Sequence, residues 1–129
     1  MIPKKFNHFH QISILFQIFA FKTDGELSDT ERETLFLLLN QWIDDPDETK
    51  NIYVESANFL SEYNNKHPEK MLDLFTESAN KIYESGIFTE AHLKAIILDI
   101  KTIGESDNKL IEMEKNVIMY LSEIWQIKW

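Results

Sequence analysis

The 129-residue chain is 43% hydrophobic, which supplies one core and leaves no room for a comfortable second, so a single domain over residues 1–129 is expected. Its formal charge is −9 and its one basic cluster is Lys4-Lys5, which argues against nucleic acid and for cations or basic proteins as partners. The absence of cysteine excludes disulfides, thiolate metal sites and cysteine nucleophiles, and it fits a reducing compartment such as the cytoplasm.

The stretch from Phe6 to Phe21 is very apolar. Gln11, Ser13 and Gln17 interrupt it, it falls short of the ~20 residues a membrane span needs, and it carries no small-residue cleavage site. It therefore reads as a buried first helix rather than a membrane span or a signal segment. Phe9, Ile12, Phe16 and Phe19 share one face, and Ile14, Leu15, Ile18 and Phe21 widen it, as expected of a central helix. His8 and His10 are two residues apart and would point about 200° apart on a helix, so they cannot easily share a metal ion. They read as partly exposed residues near a frayed helix start.

Asp24-Gly25 is a strong turn dipeptide. Ser28 and Glu31 follow at capping-box spacing, and Leu35, Leu38, Leu39 and Trp42 recur at helical spacing, predicting a second helix from Thr30 to about Ile43. Asp45 can cap a third helix, with Pro46 at its first position and Glu48 closing a second capping box, and the pattern continues to Asn65. A fourth helix begins at Pro68 and ends at Gly86. Thr89 caps a fifth, with His92 in a structural role, and Gly104 and Ser106-Asp107-Asn108 end it. A sixth runs from Lys109 to about Gln126. Apolar residues recur at three and four rather than two, so no strand is expected. Trp125 is expected to seal the core, while nothing distinguishes a core role from a contact surface for Trp129.

The two ends of this pattern match. Asp107 precedes Glu114 by seven residues, as Asp24 precedes Glu31, and Trp125 follows Asp107 by eighteen, as Trp42 follows Asp24. At the same offset Leu27 matches Leu110, Leu35 matches Ile118 and Leu38 matches Leu121, with Asn108 standing where Gly25 stands and Ile111 replacing Ser28. Two related halves about a pseudo-twofold axis are expected, in an all-α bundle of about six helices.

Asp-Gly followed by an apolar residue and a closing Glu also reads like the second half of an EF-hand loop. The two leading ligand positions, however, would be Ala20 and Lys22 in one copy and Ile103 and Glu105 in the other, so the oxygens calcium requires could not be assembled. The residues Asp24, Gly25, Ser28 and Glu31 after a first apolar helix, with Asp107 and Glu114 near the other end, resemble the TerB-like tellurite-resistance family. The likeness covers both ends of the chain well and its middle poorly, and Asn108 stands where the pattern has a second glycine. The resemblance implies a TerB-like helical fold with clustered acidic residues, a role in stress and tellurite resistance, and a divalent metal as ligand.

Asp24, Glu31, Asp107 and Glu114 are therefore the candidate metal residues, with Glu26 and Glu112 as further ligands. Carboxylates several ångströms apart suit calcium, magnesium or manganese with waters. The same residues also suit purely structural work, Glu31 in its capping box and Asp24 in its turn, and the residues alone leave both readings open. No phosphate loop, nucleophile elbow or His-Glu-x-x-His helix is present, so no catalytic residue and no enzymatic turnover are expected. The alternative to a metal module is a metal-free helical adaptor that docks a partner protein.

Overall fold

The computed structural model describes residues 2–24, 29–105 and 111–128, with the backbone alone described at 22–24 and 111–113. The described residues form six helices and no strand: α1 (His8–Asp24), α2 (Asp29–Ile43), α3 (Pro46–Lys66), α4 (Met71–Glu84), α5 (Glu90–Glu105) and α6 (Ile111–Ile124). A single 3₁₀ turn, Pro68–Lys70, leads into α4. No helix among the described residues is long and apolar enough to cross a membrane.

Helix α1 is the axis of the bundle. Every residue from Ile12 to Ala20 is buried, so the helix has no solvent face over more than two turns. Its two polar interruptions stay in the core because they satisfy one another: Gln17 Nε2 donates to Ser13 Oγ at 2.9 Å and reaches the Tyr53 carbonyl of α3 at 3.4 Å. Helices α2, α3, α4 and α5 all pack on α1, and α6 closes the bundle against α4 and α5.

The start of α1 is built rather than frayed. Asn7 Oδ1 accepts from the backbone N–H groups of Phe9 and His10 at 2.9 and 3.2 Å, while His10 Nδ1 accepts from the Asn7 N–H at 3.1 Å. This is a capping box in which histidine replaces the usual Glu. With Nδ1 accepting, Nε2 carries the proton and donates to Glu55 Oε1 at 3.2 Å. His10 is 6% exposed, and its ring stacks on Phe6 with centroids 4.2 Å apart, which corrects the expectation for His10, while His8 is partly exposed as expected.

The other termini follow local chemistry. Asp45 caps α3, its Oδ1 accepting from the N–H groups of Asp47 and Glu48 at 3.0 and 3.3 Å, with Pro46 at the first helical position. The second half of that expected box does not form: Glu48 is exposed and its carboxylate takes no donor among the described residues, while Thr49 Oγ1 bonds back to the Asp45 carbonyl instead. Thr89 Oγ1 accepts from the His92 N–H at 3.2 Å and His92 Nδ1 accepts from the Thr89 N–H at 3.1 Å, a second histidine-closed box that gives His92 its structural role. Gly86 turns the chain after α4 at φ 69°. Helix α6 ends in a Schellman motif, with Gln126 left-handed at φ 52° and the Ile127 N–H reaching the Ser122 carbonyl at 3.0 Å.

Candidate functional site

The direction of the helices decides which ends meet. His8 at the start of α1 lies against Phe88 with ring centroids 5.5 Å apart, and Phe88 lies 5.9 Å from Trp42 near the end of α2. Trp42 is also 6.1 Å from His92 in the first turn of α5. The start of α1, the end of α2 and the start of α5 therefore share one end of the bundle. Helix α2 runs antiparallel to α1 and α5 runs parallel to it, so the last turn of α1, the first turn of α2 and the last turn of α5 share the opposite end. Glu114 joins them there, because its side chain packs on Gly104 of α5.

Two of the four expected carboxylates are described. Glu31, in the first turn of α2, is 1% exposed, and Glu114, in the first turn of α6, is 7% exposed. Carboxylates are seldom buried without a partner, and each sits where a helix start offers unpaired N–H groups and a favourable dipole. Burial pushes the Glu114 carboxyl above its ordinary range, the like charge of Glu105 adds to that, and Lys101 and Lys115 pull the other way. Asp107 and Glu26 lie outside the described residues, as do the side chains of Asp24 and Glu112 and the capping residue Ser28. Among the described residues no three His, Asp or Glu side chains gather closely enough to hold a metal ion. Hard oxygen donors of this kind suit calcium, magnesium or manganese.

The match between α2 and α6 extends beyond the acids. Leu35 and Ile118, then Leu38 and Leu121, are buried in both helices at the equivalent positions. Trp42 and Trp125, equivalent in register, both face inward and both use their indole N–H: Trp42 donates to Asp99 Oδ2 at 2.7 Å, Trp125 to the Ala79 carbonyl at 2.9 Å.

Two residues at or near these sites, Asp99 and Glu55, have no place in the sequence reading, and a third, Gly104, acts otherwise than its pattern suggests. Gly104 lies inside α5 rather than ending it, and a Cβ there would stand 2.9 Å from Glu114 Oε2, so the missing side chain is what lets Glu114 approach. Asp99 is half-buried, and burial lifts its carboxyl to about 6 even though the Trp42 bond lowers it. Its position between Leu98 and Ile100 was the available signal, an acid inside an apolar run. Glu55, the partner of His10, sits on an exposed face of α3 and gives no signal in sequence.

No protein-family model matches the chain, and no curated protein and no solved structure matches it.

Proposed function

We propose that this chain is a TerB-like stress-response module of the tellurite-resistance type, acting without turnover, whose acidic end takes up a divalent cation such as calcium, magnesium or manganese. The observation that carries this is the equivalent burial of Glu31 and Glu114 in the first turns of α2 and α6 at one end of the bundle. Two carboxylates at matched first-turn positions at one end of the bundle are the hard oxygen donors such a cation takes. The pairing of α1 with α2 and of α5 with α6 supports two related halves, with Asp24 and Asp107 as the matching acids beside each helix start. The test is a thermal-melt titration of chelator-treated protein with each cation against sodium chloride. A saturable rise at sub-millimolar concentration is expected, worth about 2.7 kcal/mol at a hundredfold excess over Kd. Asp24→Ala with Asp107→Ala should abolish it. A response to all three cations no greater than that to sodium chloride overturns the proposal.

The second reading is a metal-free adaptor for a partner protein. It is favoured by an apolar groove of about 290 Å³ between α4 and α6, floored by Ile18 and Phe19 of α1 and bordered by Leu72, Phe75, Val117 and Tyr120. Leu72 is exposed. This reading predicts no cation effect beyond ionic strength, so the same titration separates the two.

A further inference from the structure

A larger cavity, of about 590 Å³, opens where α1, α2 and α3 meet and Met71 at the head of α4 closes the bottom. That is within the range of small-molecule sites. Among the described residues only Ile18 is common to its lining and that of the α4–α6 groove.

Its walls are of two kinds. Ile18, Leu60 and Met71 are buried and make an apolar floor, with Phe21 half-buried beside them. The polar groups around it are under-used. Gln17 is buried and both of its hydrogen bonds come from Nε2, which fixes the amide and leaves Oε1 with no donor among the described residues. The Tyr53 hydroxyl makes no hydrogen bond within the described residues, although burial raises its pKa against the opposing charge of Arg32. Among the described residues Arg32 is the one charged side chain in the lining, in a protein with 22 acidic residues. Its contact to Asp29 is 3.8 Å long between two exposed side chains and contributes little, so the guanidinium is available to a ligand. Fixed polar groups converging on an apolar cavity are the general form of a ligand site.

We propose that this cavity binds a small amphiphilic carboxylate, of the medium-chain fatty acid class, with its hydrocarbon body on Ile18, Leu60 and Met71 and its carboxylate at the rim between Arg32 and the Tyr53 hydroxyl. One guanidinium fork matches one carboxylate. A doubly charged head group would meet twice the repulsion from a chain of net charge −9 with the same single cation to hold it.

The test is isothermal titration calorimetry on the full chain, in chelator so that divalent cations play no part, with decanoate and decanol as probes. Decanoate should bind saturably at one per chain and about tenfold more tightly than decanol. Arg32→Gln, an exposed change, should leave the melting temperature alone and erase the difference between the two probes. Ala57→Phe, which fills the cavity from α3, should remove both. No saturable decanoate binding, an acid preference that survives Arg32→Gln, or binding that ignores Ala57→Phe would each overturn the proposal, the last by directing the probe to another surface such as the α4–α6 groove.

Discussion

Trp42 and Trp125 hold equivalent positions in two matching helices, yet one is half-buried and bonded to a carboxylate while the other is 2% exposed and bonded to a backbone carbonyl. The matched register decides that both rings face inward. What each indole N–H finds there depends on the neighbour the fold supplies: α5 with an aspartate in the first case, α4 with a main-chain acceptor in the second. The Trp125 partner is uncharged and pH-independent. The Trp42 partner can gain and lose a proton, so the two tryptophan sites should respond differently to truncation and to pH.

The largest effect is expected from truncation. Trp125→Ala should cost about 3–5 kcal/mol in urea unfolding, because it empties a fully buried site and removes the indole hydrogen bond to the Ala79 carbonyl. Trp42→Ala should cost about half as much, its ring being partly exposed already. Equal costs would mean that burial at the two positions does not govern their contribution.

The pH response sharpens the same contrast. The fold raises Asp99 from its ordinary 3.8 to about 6, so it favours the protonated form. That contribution is complete below about pH 3.8 and is lost as pH climbs through 6. Asp99→Asn keeps an acceptor for the Trp42 N–H and cannot ionise. It should stabilise the protein above pH 6 by about 1 kcal/mol, water at the half-buried carboxylate screening the full linkage value. Urea midpoints from pH 4 to pH 8 would show a declining wild type and a flatter variant; parallel curves would remove Asp99 from the account.

Smaller effects belong to the histidine-closed caps. Thr89→Ala should cost about 1 kcal/mol through loss of the first-turn acceptor of α5. His92→Gln can still reach back to the Thr89 N–H and should cost less. Smallest of all should be Gly104→Ala, where a gain of up to about 1 kcal/mol in helix propensity opposes the displacement of Glu114. Its clearer readout is the side-chain titration of Glu114 by carbon NMR, which should move back toward the ordinary carboxylate range as the carboxylate is pushed toward water.

The helices, their order and most of their inward faces were legible because period and capping are local: Asp45, Pro46 and Thr89 do what their spacing predicts. The histidine caps were not legible, since the familiar box has Glu or Gln at the third position and His10 closes its box through ring geometry that spacing does not encode. Gly104 looked like a helix stop because glycine usually is one; its actual role depends on α6 arriving beside it, a contact made across the fold. Glu31 and Glu114 were chosen from the repeat, and the structure adds that both are buried, which no pattern of charges could state. The cavity residues Gln17, Arg32 and Tyr53 come from three helices and share no motif.

The burial of α1 on all sides has a consequence for the order in which the protein is made. This helix leaves the ribosome before α2, α3, α4 and α5, the helices that pack on it, and α5 is complete only about eighty residues later. At ~5–20 residues per second, its run of isoleucines and phenylalanines waits for several seconds without a lid. During that interval the same surface that later anchors the bundle is the most adhesive part of the nascent chain, and a pause in translation before α4 would lengthen the exposure.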